Sequence, residues 1–145
     1  STVAVIYSIT AAPNSEALGI VAPSSTYYAY GAAPANPVAD GNCTFTLTND
    51  GSGVEKISVH GHAWTSVGAA DWALGANVGE NIVKMRWYVT GQDPTTEGVV
   101  LTTSDQNLIA SMNVGHTHAD FRLDTGTFTG GDEQTLVVTF TAAAP

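Results

Sequence analysis

Alternation with a period of two is the feature that most restricts what this chain can fold into. In Cys43-Thr44-Phe45-Thr46-Leu47-Thr48 the apolar residues fall at odd positions and threonine at even ones. The same period returns in Val54–His62 (Ile57 and Val59 against Ser58, His60 and His62) and in Asn81–Thr90 (Val83, Met85, Trp87 and Val89 against Lys84, Arg86 and Tyr88). It returns again in His118–Thr125 and Gln134–Thr141. Side chains of an extended strand point to opposite faces in turn, so each run predicts a strand with one face in a core. Shorter strands are expected at 98–103 and 108–112, and no segment carries a 3.6-residue amphipathic period. Asn49-Asp50-Gly51 predicts a tight hairpin turn, and Gly130-Gly131-Asp132 a second turn. Many short strands punctuated by turns read as an all-β, antiparallel β-sandwich, either a jelly roll or an immunoglobulin-like Greek key.

Composition narrows the setting. The 145 residues are enough for one core, and 43% of them are hydrophobic without a long apolar run. Charged residues make up 12%, about half the usual share, with Thr, Ser, Gly, Ala and Asn filling the polar positions. Such surfaces suit secreted or cell-surface β-proteins. Four basic residues against thirteen acidic ones, a net charge of −9, argue against binding nucleic acid or an anionic membrane. The acidic excess reads as a solubility feature before a Ca²⁺ surface. The one cysteine, Cys43, is in phase with Phe45 and Leu47 and is expected as a buried thiol. The opening Ser-Thr-Val-Ala-Val, without an initiating Met, reads as a processed, exported product.

Three stretches follow from this patterning within a single domain. Residues 1–12 are a strongly β-prone terminal strand, in which Val3, Val5, Tyr7 and Ile9 share one face and Ala4, Ile6 and Ser8 the other. Residues 13–41 are a Pro/Ala/Ser-rich connection with the cluster Tyr27-Tyr28-Ala29-Tyr30. Residues 42–145 carry the sandwich. The first strand serves either as the first strand of its own sheet or as an arm donated to a neighbour's sheet. An apolar, Pro-free terminal strand is what β-augmentation requires, and Val3, Val5, Ile6, Tyr7 and Ile9 are its candidate assembly residues.

All four histidines lie in two His-x-His pairs, His60-Gly61-His62 and His116-Thr117-His118. Both pairs are in phase with the polar side of their strands, so each presents two imidazoles to one region. If the two strands paired in one sheet, four imidazoles would converge on a Zn, Cu or Ni ion, with Asp120 as a further ligand or an orienting carboxylate. The alternative is that exposed polar positions are simply filled by histidine.

Three metalloenzyme patterns fit poorly. His116-Thr-His118-Ala-Asp120 opens like the His-x-His-x-Asp-His motif of metallo-β-lactamase-type hydrolases, but position 121 is Phe. Cupins need a Glu soon after the His-x-His, and Ala63–Ala70 has none. Copper–zinc superoxide dismutases need more histidines and a second cysteine. No nucleophile elbow, phosphate loop or haem motif is present, so a non-enzymatic role is expected. Asn42-Cys43-Thr44 is a glycosylation sequon, which makes Asn42 a candidate glycan site. Tyr27, Tyr28, Tyr30, Trp64 and Trp72 are candidates for a sugar-stacking platform, or for core and interface residues.

Phe-Thr-Leu-Thr-Asn-Asp-Gly (45–51), Ala-Asp-Trp-Ala-Leu (70–74), Asp-Phe-Arg-Leu-Asp-Thr (120–125) and Glu-Gln-Thr-Leu-Val-Val-Thr-Phe-Thr (133–141) resemble secreted β-sandwich domains of bacterial and archaeal cell surfaces. With its terminal strand, the chain is most similar to subunits of strand-exchange fibres, of the TasA and bundling-pilus type. That resemblance implies a structural subunit of an extracellular filament or surface layer whose partners are copies of itself. The alternatives are a secreted metal- or carbohydrate-binding module and a viral capsid or decoration protein.

Overall fold

The structure, a computed structural model, describes residues 4–30, 43–68, 70–129 and 133–145. Among the described residues there is no helix, and the all-β expectation holds. Twelve strands are formed: β1 (Ile9–Ala12), β2 (Thr26–Tyr28), β3 (Phe45–Asn49), β4 (Glu55–Gly61), β5 (Thr65–Ser66), β6 (Ala73–Leu74), β7 (Ile82–Val89), β8 (Val99–Val100), β9 (Gln106–Met112), β10 (Gly115–Asp124), β11 (Gln134–Thr135) and β12 (Val138–Ala143).

A seven-stranded sheet runs β1-β3-β10-β7-β6, with β2 also on β10 and β8 also on β7. A three-stranded sheet runs β12-β4-β9, and β5 pairs with β11. All pairings are antiparallel except β6 with β7. The larger sheet curls into a half-barrel. Its inner face carries the odd-numbered residues the alternation singled out: Phe45 and Leu47, Val83, Met85 and Trp87, and Ala119, Phe121 and Leu123, all buried. Ile57 and Val59 of β4 and Leu108 and Met112 of β9 belong to the same core. Trp87 joins the two sheets, with its ring 5.2 Å from those of Phe45, Phe121 and Phe140.

One seam between the sheets is closed by the backbone. β8 pairs with β7, and past its end the Leu101 amide donates to the Met85 carbonyl at 2.7 Å. The next residue turns to the other sheet, where the Gly61 amide donates to the Thr102 carbonyl at 2.8 Å. Packing there is tight: a Cβ on Gly61 would lie 2.7 Å from Leu74 Cδ1 and 3.0 Å from Leu101 Cδ2.

Several local expectations are corrected. Asn49-Asp50-Gly51 does not close a hairpin, because β3 and β4 belong to different sheets. It is a corner, held by the buried Asn49 side chain. Its Nδ2 donates to the Gly53 and Met112 carbonyls, and its Oδ1 accepts from the Gly51 amide. The first strand starts at Ile9, antiparallel to β3. Before it, Ser52 takes both backbone groups of Ile6, through its amide and its hydroxyl, and the Asp50 amide donates to the Ser8 carbonyl. The tyrosine-rich connection contains β2. The last predicted strand is broken at Leu136-Val137 into β11 and β12, which pair with different partners. Cys43 is half-buried rather than buried. Val3, Asn42 and the turn at 130–132 lie outside the described residues.

Candidate functional site

The two histidine pairs are apart: His60 is on β4 and His62 one residue past its end, whereas His116 and His118 are on β10 of the other sheet. The condition for four converging imidazoles is therefore not met. No group of three or more His, Cys, Asp or Glu gathers as a metal site among the described residues. The pairs also differ in surroundings. His60 is half-buried, and its Nδ1 lies 2.6 Å from Asp105 Oδ1, while exposed His62 sets its Nε2 2.9 Å from Thr139 Oγ1. The His60 and His62 ring centroids are 5.1 Å apart. In the other pair His116 is exposed but His118 is buried, with its Nδ1 3.4 Å from Thr46 Oγ1, and the centroids are 6.0 Å apart.

Asp120 was expected on the same accessible face, and it is buried too, at 1% exposure. β10 lies inside the large sheet, flanked by β3 and β7, and Asp120 stands opposite the equally buried Tyr88. Burial pushes the Asp120 carboxyl up from the ordinary 3.8 to about 6, with hydrogen bonds from the Phe121 amide and Thr44 pulling it part of the way back. Burial, and Asp120 beside it, raise the Tyr88 hydroxyl. The alternation pattern identifies which face a residue takes but not whether that face is covered.

The larger feature was not legible in the sequence. A cleft of about 1120 Å³ opens along the inside of the half-barrel. Ile9 and Ala11 of β1 line one side, Val138 and Phe140 of β12 the other, and Met85, Trp87, Phe121 and Leu123 form its floor. Leu18 and Val21, from the irregular segment after Pro13, border it. β1 is an edge of the seven-stranded sheet and β12 an edge of the three-stranded one, so each has an edge with no strand on it among the described residues. Trp64 Nε1 and Trp87 Nε1 are buried there without hydrogen-bond partners. Trp64 and Trp72 are buried and packed edge to face, so they present no open stacking platform; Tyr28 lies under the Arg122 guanidinium.

Ahead of β1 the chain is apolar and uncovered: Val5 is 64% exposed, Ile6 57% and Tyr7 39%. It is tethered at Ile6, whose backbone groups both bond Ser52, and at Ser8, whose amide donates to Glu55 Oε2 at 3.0 Å. Glu55 is fully buried and its Oε1 has no partner. The sequence did carry a signal for it, because Glu55 falls in the apolar row of Ile57 and Val59. Asp105, 45 residues from His60, had none.

Compared with known families, characterised proteins and solved structures, the chain matches no family model, no curated protein and no solved structure.

Proposed function

We propose that this protein is a structural subunit that self-assembles outside the cell, with a β-strand from one copy completing the open core of the next. The observation that carries the reading is the largely apolar cleft between two strand edges, of β1 and β12, that carry no further strand among the described residues. A strand added to the free edge of β1 or β12 would find main-chain donors and acceptors on one side and apolar side chains of the cleft beneath it, the two sources of affinity and register in β-augmentation. Small-molecule pockets run to about 300–1,000 Å³. At about 1120 Å³ this cleft is large enough to take an extended segment.

The same chain supplies a segment of the right character in the exposed run Ala4–Tyr7. Val5 and Tyr7 share the phase of Ile9 and Ala11, the residues of β1 that line the cleft. A contact between a strand on one copy and a groove on the next is heterologous, so it propagates instead of closing on itself. With the strand in place the two sheets would form the two-layer sandwich read from the sequence. The low charge and Thr-rich surface support an extracellular setting for such a fibre or layer.

Negative-stain microscopy of the full chain and of a chain lacking residues 1–7 tests this. Filaments or sheets are expected from the full chain, and folded, dispersed monomers from the shortened one. Assemblies formed equally well by the shortened chain would overturn it.

A further inference from the structure

We infer that His60 and His62 form a chelating site for a borderline transition-metal cation of the Zn²⁺ class on the outer face of the three-stranded sheet, independent of the assembly cleft. Three features of the pair fit this chemistry. First, the spacing is right. With metal–nitrogen bonds of about 2.0–2.1 Å, two imidazoles sharing a tetrahedral ion place their ring centroids about 5 Å apart. The pair at 60/62 stands at 5.1 Å, whereas 116/118 stands at 6.0 Å.

Second, each ring has a partner on one nitrogen and leaves the other to a ligand. Asp105 Oδ1, as a carboxylate, accepts from His60 Nδ1, so in the neutral ring the lone pair lies on Nε2. Thr139 Oγ1 can accept from His62 Nε2, leaving the lone pair on Nδ1. A carboxylate or hydroxyl behind each imidazole is the arrangement that orients metal-binding histidines. Third, His60 is held on a strand flanked on both sides, with Thr139 of β12 as its register partner and β9 beyond, and exposed His62 follows one residue past the strand's end, its amide donating to the Val137 carbonyl. The rings stand side by side in the folded chain, and water would fill the remaining coordination positions. Asp105 is a positioning residue in this site, not a ligand.

The test is calorimetric titration of the untagged full chain with Zn²⁺. One ion per chain is expected to bind saturably. His60→Ala and His62→Ala should each weaken binding at least ~10-fold, since a two-tooth chelate becomes a single imidazole. Asp105→Asn should cost about 10–100-fold, as losses of orienting partners do. Asp105→Glu should recover much of it, and the melting temperature should not change in either variant. His116→Ala should bind as the parent does. No saturable Zn²⁺ binding, unchanged affinity in His62→Ala, or loss of affinity in His116→Ala would overturn the site. Parent-like affinity in Asp105→Asn would remove the role given to Asp105.

Discussion

The two seams of this molecule join the same pair of sheets in opposite ways. On the β7/β8 side the chain spends backbone hydrogen bonds to close the gap, from Leu101 to Met85 and from Gly61 to Thr102. Leu101 is 1% exposed, and Gly61 has no room for a methyl group. On the β1/β12 side both strands end their sheets, and the apolar residues between them line a cleft of about 1120 Å³. Protein interiors are normally packed to crystal-like density. The contrast between a sealed side and a side with two free strand edges is what the proposed strand exchange rests on.

That contrast can be broken by substitution. The largest difference is expected from Leu101→Ala, which should cost about 2–5 kcal/mol in urea unfolding through lost burial and a cavity. Phe140→Ala, on a half-buried ring facing the cleft, should cost clearly less, and equal losses would erase the distinction between the seams. Next comes added volume. Gly61→Ala should destabilise by about 1–3 kcal/mol because Leu74 and Leu101 already fill the space. Ala11→Leu, pointing into open cleft, should stay within about 0.5 kcal/mol of the parent in thermal melts.

A smaller effect is expected at the tether. Glu55→Gln should weaken the hold on Ser8 by about 1 kcal/mol and speed proteolysis ahead of Ile9, while the β8 seam keeps its hydrogen-exchange protection. A pH dependence is set in the middle of the large sheet, away from both seams. Asp120 is raised from 3.8 to about 6 in the folded chain, so between those values the folded state binds more protons than the unfolded one. Its contribution to stability is greatest at low pH and declines as pH rises through that window. Melts of Asp120→Asn against the parent should show this slope in the parent alone.

Much of the fold was legible because the pleat ties sequence position to face. Phe45, Leu47, Ile57, Val59, Trp87 and Phe121 were all placed on buried faces by alternation, and all are in the core. What alternation cannot express is which strands pair. Asn49-Asp50-Gly51 reads locally as a hairpin, yet the bonds from Asn49 to Gly53 and Met112 make it a corner between sheets. The candidate site divides in the same way. The polar phase of His60, His62 and His116 was correct, while His118 and Asp120 share that phase and are buried. The cleft has no local signature at all, since it arises where β1 and β12, far apart in the chain, each leave one edge without a strand among the described residues.

The most direct measurement is the uptake of a fluorescent peptide of residues 1–12 by the chain lacking residues 1–7, followed by anisotropy. The account predicts saturable binding that Ala11→Leu abolishes by filling the cleft and that His116→Ala leaves unchanged. No saturable uptake, or uptake indifferent to Ala11→Leu, would contradict it.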